Sequence, residues 1–308
     1  MTPLLRYNER AALPLVASIG FYDGVHLGHR HLLAQVTDEA RRRGMGALAV
    51  TFAGHPLAVV RGGQAPRLLS TPEEKAGLLR DAGLDAVAML RFTPALAALT
   101  SRQFMEQVLR RDYGVRVLVV GYDHRFGSDR GAGLADYRRY GAACGVEVVE
   151  ATRYAPDGAE VSSSAVRRLL AAGEAEAAAR LLGRPYELGG TVVAGRQVGR
   201  RLGYPTANLR PASAEKLLPA AGVYAAEAET GGVTCAAMLN IGLRPTLDDG
   251  RGQTVEAHLL DFDGDLYGRP LTLRFVRRLR GERQFGSLEQ LRAQLAADEA
   301  EVRRRLLR

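Results

Sequence analysis

Residues 18–33 read SIGFYDGVHLGHRHLL. An apolar run ending at Ile19 enters a turn containing Gly20 and Gly24, and helical periodicity follows from His29. A strand feeding a glycine turn and then a helix is the opening unit of a parallel α/β sheet. His26 and His29 are three residues apart with Gly28 between them, which at a helix entrance sets both imidazoles on one face. There the orphan backbone N–H groups and the helix dipole already favour an anion. Gly20, Gly24 and Gly28 are expected to let a ligand approach the backbone closely. The stretch therefore predicts a phosphate site that needs no lysine.

Outward from it, short β-branched runs alternate with amphipathic stretches. Predicted strands are Leu15 to Ile19, Ala47 to Phe52, Ala86 to Leu90, Arg116 to Val120 and Glu147 to Ala151. Predicted helices are His29 to Arg43, Thr100 to Tyr113 and Leu134 to Cys144, closing at Gly44, Gly114 and Gly145. This is a doubly wound parallel-sheet domain of α/β class. Past Pro185 the strand-like runs Glu187 to Val193, Val223 to Glu229, Thr234 to Asn240, Thr254 to Phe262 and Leu271 to Leu279 follow one another without helices. They predict a small antiparallel β-barrel. A terminal helix starts at Ser287, where Ser287 and Gln290 are expected to form a capping box. The expected domains are 1–184 and 185–308.

The 308 residues carry 42 basic and 34 acidic side chains, a net charge of +8, and only Lys75 and Lys216 among the basic ones are lysines. An excess of positive charge suits anionic ligands. No Gly-Lys dipeptide and no GxGxxG occur, so Walker-type and ordinary dinucleotide-binding phosphate loops are excluded. No apolar stretch is long enough to span a bilayer, and Glu9 argues against a signal peptide at residues 11–20. Cys144 and Cys235, far apart and outside any CxxC, fit a reducing compartment, so the expected location is cytoplasmic.

The His-x-Gly-His turn resembles the active-site motif of the nucleotidylyltransferase superfamily. That resemblance implies that His26 and His29 stabilise charge on an α-phosphate in transfer and on the leaving pyrophosphate. Gly121 to Gly127, GYDHRFG, follows a strand, where open sheets bind ligands, and brings Asp123 and Arg125. Ser162, Ser163 and Ser164 precede a helix containing Arg167 and offer hydroxyls and a guanidinium to phosphate. A serine cap by itself is only a cap. In this order, however, the three segments resemble the adenylyltransferase half of the bacterial bifunctional riboflavin kinase/FAD synthetases, as does LSTPEEK at residues 69–75. The family pattern is approximately GNFDGVHxGH, VVGxDFxFG and ISSTxIR. The chain departs from it at Phe21 for Asn, Tyr22 for Phe, His124 for Phe and Ser164 for Thr. Gly20, Phe21, Asp23 and Gly28 complete the nucleotide set that the resemblance implies.

In the second half, GRQVGRRLGYPTANL joins a loop with Gly195, Gly199 and Gly203 to Pro205-Thr-Ala-Asn208. In an extended chain Thr206 and Asn208 face one side, about 7 Å apart, as hard oxygen donors suited to Mg²⁺ or Mn²⁺. Standing alone, such a segment reads as a turn. LPAAGVYA, NIGLRPT, VEAHLLDFDGDLYG and LRGERQF follow it in the order found in riboflavin kinases, which the whole series resembles. The resemblance implies Glu256 as catalytic base, Thr206 and Asn208 as metal ligands, and Arg280, Glu282, Arg283 and Phe285 around the flavin. It also implies riboflavin, FMN, FAD, ATP and pyrophosphate as partners, with ATP as co-substrate and no role for nucleic acid or membrane. Self-association is left open. Two alternatives stand beside it: retention of one activity only, and an arginine-rich nucleic-acid-binding protein. The latter lacks any RNP-type aromatic motif.

Overall fold

A computed structural model of the chain describes residues 4–5, 13–60, 62–63, 65–122, 124–129, 131–156, 160–195, 199, 202–243 and 253–307. Contacts divide the chain into two compact units, Met1–Ser162 and Ser163–Arg308.

In the first unit, β1 (Leu4–Leu5), β2 (Leu15–Ile19), β3 (Gly46–Phe52), β4 (Ala86–Leu90), β5 (Val115–Val120) and β6 (Glu147–Glu150) form a sheet. Their order is β1-β4-β3-β2-β5-β6, and every pairing is parallel. β2 and β3 are buried along their whole length, so they read as continuous apolar runs rather than alternating ones. On one face Leu15, Ala17 and Ile19 pack with Phe104, Met105 and Leu118. On the other, Val16 packs with Leu33, Val36 and Ala40 of α1 (Leu27–Arg43). The chain runs from β2 outward through β3 to β4, then returns to β5 on the opposite side of β2. The order therefore reverses between β2 and β5, and at such a reversal the loops beyond the two carboxyl ends splay apart to form a crevice.

Gly44 closes α1 at φ 63°, where a side chain would be strained. Short α2 (Pro56–Val60) is followed by α3 (Pro72–Asp81), and Thr71 and Glu74 cap α3 reciprocally. α4 (Pro94–Ala97) and α5 (Ser101–Gln103) lead into a π-helix at Phe104–Asp112 where the periodicity predicts one α-helix. Its buried positions Phe104, Met105, Val108, Leu109 and Asp112 recur at spacings of four, which suit an α-helix as well, so the sequence does not announce it. α6 (Leu134–Cys144) ends as expected at Gly145.

The second unit begins with α7 (Ser163–Ala172) and α8 (Ala175–Leu182). β7 (Tyr186–Val193), β8 (Ala207–Pro211), β9 (Gly222–Thr230), β10 (Val233–Leu243), β11 (Gln253–Leu259) and β12 (Pro270–Arg280) then close a barrel in the order β10-β11-β8-β7-β12-β9. All pairings are antiparallel, as expected. β8 is an addition to the expected strands: Pro205 precedes it and Pro211 is its last residue, and proline weakens the strand signal. α9 (Leu288–Leu306) lays Val302 on Ala225, Ala236, Met238 and Leu260. The expected capping box is half formed. Ser287 accepts from the Gln290 N–H, but the Gln290 side chain accepts from Gly286 N–H instead of closing back on Ser287.

Candidate active sites

The first site lies in the crevice beyond β2. His26 is the N-cap of α1, and its Nδ1 accepts from the His29 N–H at 3.3 Å. An accepting Nδ1 is unprotonated, so the proton of neutral His26 is on Nε2, a donor for an anion. The His26 and His29 rings stack with centroids 3.6 Å apart, and Tyr22 meets His29 edge-on. Nδ1 of His29 is enclosed without a hydrogen-bond partner, which leaves Nε2 as the nitrogen that can meet a ligand. Burial holds His29 well below the ordinary imidazole range, and the nearby charges of His26, Lys75 and His124 act in the same direction.

The turn between β2 and α1 is tightly wound. Tyr22 at φ 51°, Gly24 at 75° and Val25 at 40° all lie in the left-handed region, where a β-branched residue is rare. Three contacts hold it. The buried Asp23 carboxylate accepts from Leu69 N–H (2.9 Å), Ser70 N–H (2.9 Å) and Ser70 Oγ (3.1 Å), and Ser70 Oγ accepts from Gly24 N–H (3.0 Å). Thr51 Oγ1 donates to the Phe21 carbonyl at 3.1 Å. Lys75 Nζ donates to that same carbonyl at 3.1 Å and to the Phe52 carbonyl at 2.6 Å, and it lies 4.0 Å from the Phe21 ring centroid. Burial pulls Lys75 down to about 8 while Asp23 opposes, so the ammonium persists at neutral pH. Asp23 thus grips the Leu69–Ser70 backbone.

The glycines have reasons other than ligand approach. A Cβ on Gly20 would stand 2.6 Å from the Tyr22 ring, and one on Gly28 would stand 3.2 Å from the His26 ring and 3.4 Å from the Val161 carbonyl. Val161 therefore brings the start of the serine run to the α1 entrance. Ser162 Oγ donates to Glu160 at 2.7 Å. Ser163, Ser164 and Arg167 belong to α7 in the other unit. Asp123 lies outside the described residues. Arg125 donates to the His124 carbonyl at 3.3 Å and lies beside Gly133, while His124 stacks on Phe126.

In the barrel, register assembles the second site. Glu256 on β11 stands directly opposite Asn208 on β8 and opposite Asn240 on β10, so three oxygen-bearing side chains line up across three strands. A cavity of about 330 Å³ is lined by Gly199, Thr206, Glu256, Arg280, Glu282, Arg283 and Phe285, gathering most of the residues expected there. A second cavity of about 580 Å³, bounded by Pro205, Thr206 and residues 262–267, meets the first at Thr206. The glycine loop packs on this segment: a Cβ on Gly195 would collide with the Asn208 side chain, and one on Gly199 with the Tyr204 carbonyl. Gly203 sits at φ 87°.

Arg280 is held by Asp298 of α9 through Nε (3.0 Å) and Nη2 (2.8 Å), and Gln294 also donates to Asp298. The Arg280 and Arg283 guanidiniums lie 5.8 and 5.7 Å from the Phe285 ring centroid. Thr206, Asn208 and Glu256 offer hydroxyl, amide and carboxylate oxygens, a donor set that fits Mg²⁺ carried by nucleotide phosphates. Among the described residues no group of three or more His, Cys, Asp or Glu could hold an ion unaided.

Sequence reading missed Lys75 as part of the first site, and missed Asn240 and His258 in the second. His258 lines the same cavity, with Nδ1 2.8 Å from the Pro205 carbonyl. Alternation along β11 from Glu256 was signal enough for His258. Asn240 opens the NIGLRPT stretch, but its place opposite Glu256 is visible only through the register.

A doubly wound sheet with paired imidazoles at its switch point, joined to a barrel that lines up hard oxygen donors, defines a two-site nucleotide-dependent transferase. The FAD synthetase family matches residues 9–165 and the riboflavin kinase family residues 182–306. The chain is 37% identical over 289 residues to the bifunctional riboflavin kinase/FMN adenylyltransferase of Escherichia coli K12, covering 94% of this chain and 91% of that protein. To the enzyme of the same name from Pseudomonas fluorescens it is 38% identical, covering 94% and 92%. The chain belongs to the bifunctional riboflavin kinase/FMN adenylyltransferase family. A crystal structure of a macrolide-efflux protein from Streptococcus pneumoniae superposes with a TM-score of 0.87 at 29% identity, covering 95% of both chains. Among the described residues here, no helix is long and apolar enough to cross a membrane.

Proposed function

We propose that this chain makes FMN and FAD in sequence, with riboflavin kinase activity in residues 185–308 and FMN adenylyltransferase activity in residues 1–184. The observation that carries this is the presence in one chain of two unlike arrangements, stacked imidazoles at a sheet switch point and a row of oxygen-bearing side chains across a barrel.

In the barrel, Glu256 takes the proton of the riboflavin 5′-hydroxyl as that oxygen attacks the γ-phosphorus of ATP, and ADP leaves. Thr206 and Asn208, together with phosphate oxygens, would hold Mg²⁺, which neutralises phosphate charge. Arg283 and Phe285 border the flavin, and Arg280, already engaged by Asp298, holds that wall in place. In the first unit, an oxygen of the FMN phosphate attacks the α-phosphorus of a second ATP. The bond to the bridging oxygen breaks and pyrophosphate leaves. His26 and His29 present Nε2 to the charge that develops, and Gly20, Phe21, Gly28 and Ser162 shape the backbone around it. Asp123, Arg125, Ser163, Ser164 and Arg167 complete the proposed nucleotide set.

Incubation of the purified protein with riboflavin, ATP and Mg²⁺, followed by chromatographic separation of the flavins over time, tests the proposal. FMN rising first and FAD following is the expected result. FMN without FAD overturns the adenylyl-transfer half, and absence of flavin turnover overturns both.

A further inference from the structure

The chain draws 40 of its 42 cationic side chains from arginine, and both lysines, Lys75 and Lys216, are buried against an aromatic ring. Lys75 is 1% exposed. Its ammonium uses its donors on the Phe21 and Phe52 carbonyls with the Phe21 ring beside it, a compact tetrahedral fit that a planar guanidinium would not reproduce.

Stability does not explain it. A buried ammonium pays heavily in desolvation, and an apolar side chain of the same length commonly serves a core as well or better. Location does explain it. The two carbonyls stand just past β2 and at the end of β3, where backbone oxygens turn partial negative charge toward the crevice that receives phosphate. The ammonium caps both oxygens. It also completes a two-point clamp between α3 and the turn, in which Asp23 grips the Leu69–Ser70 backbone and Lys75 grips Phe21 in return.

We propose that Lys75 is a positioning residue for adenylyl transfer, holding the Phe21 carbonyl so that the 20–25 turn presents His26 and His29 to the phosphates. This rests on the adenylyl-transfer reading of the first site. At 1% exposure Lys75 has almost no surface to offer a substrate. It acts through a carbonyl that Thr51 also holds, and this shared acceptor makes the idea testable by coupling.

The experiment compares the full-length wild type with K75M, T51V and the double variant. It measures kcat and KM for ATP in FAD formation from supplied FMN, and uses riboflavin phosphorylation and thermal unfolding of the same preparations as controls. K75M is expected to lose roughly 100-fold in kcat, the scale of a misplacement near 1 Å. Its KM for ATP stays within about threefold of wild type and FMN formation is unchanged. T51V loses less, and the double variant falls short of the product of the two losses because both act on one oxygen. Undiminished kcat in K75M, parallel loss of both activities, or fully multiplicative losses would each overturn the inference. Wild-type protein that makes FMN but no FAD would overturn the adenylyl-transfer reading and this inference with it, whereas a wild-type kcat in K75M overturns this inference alone.

Discussion

At the end of β2 two stacked imidazoles follow a turn tied down at two points, Asp23 accepting from Leu69 and Ser70, and the Phe21 carbonyl accepting from Thr51 and Lys75. In the barrel, Asn208, Glu256 and Asn240 stand in a row across β8, β11 and β10 beside cavities of about 330 and 580 Å³. One site offers imidazole nitrogens built into the fold. The other offers oxygens. On the proposed function, one chain would meet the phosphates of the same nucleotide with unlike side-chain chemistry, and each device suits its reaction. As proposed, the first would stabilise a leaving pyrophosphate by donation, and the second would remove a proton from an alcohol.

The sharpest way to break this contrast is at His29. His29→Ala is expected to lower FAD formation roughly 1,000-fold, the cost of an oxyanion donor, while FMN formation measured in the same sample is retained. Similar loss of both activities would merge the two sites into one. Glu256→Gln is the mirror image. FMN formation should drop roughly 100-fold or more as the base is removed, and FAD formation from supplied FMN should continue.

A smaller effect is expected at the α9 clamp. Asp298 is buried, whereas the Arg280 side chain is 21% exposed. Asp298→Asn should therefore cost about 2 kcal/mol, below the full penalty of a broken buried pair. Denaturant unfolding would read that loss, and KM for riboflavin should rise as the Arg280 and Phe285 wall loosens. An unchanged KM would detach this clamp from the flavin side of the cavity.

The smallest expected effect is on acid stability. Folding lowers the pKa of His29, so below about pH 6.5 the unfolded chain binds a proton that the folded chain resists. Stability from this group is complete above that pH and falls, by up to roughly 1 kcal/mol per pH unit, as pH drops toward the folded value. Melting temperatures between pH 7.5 and 5 should decline more steeply for wild type than for His29→Gln. Equal slopes would mean that the burial of His29 carries no titration penalty.

Much of both sites was legible because it lies in contiguous stretches. Residues 18–33 show a strand, a glycine turn and a helix in that order, but the helix begins at Leu27 with His26 as its cap rather than at His29, and the left-handed backbone of Tyr22 and Val25 is visible only in the structure. The barrel's kinase-like segments were legible as a series in order. Lys75 was not, because its partners lie 54 and 23 positions away. β8 was obscured by Pro205 before it and Pro211 at its end, and the π-helix at Phe104–Asp112 by buried spacings that suit an α-helix as well. Arg280 had the right neighbourhood, but its bond to Asp298 on a helix eighteen positions later was invisible.

By itself the sequence determined the two fold classes, the histidine turn and the presence of hard oxygen donors, because hydrophobic period, glycine placement and side-chain chemistry act over a few residues. Only the tertiary structure decided that the histidine turn lies at the reversal of strand order, that Glu256 faces Asn208 and Asn240, and that a buried lysine holds the turn from below. Strand order and register are set by which surfaces can be buried together, and that is a property of the whole chain rather than of any stretch within it.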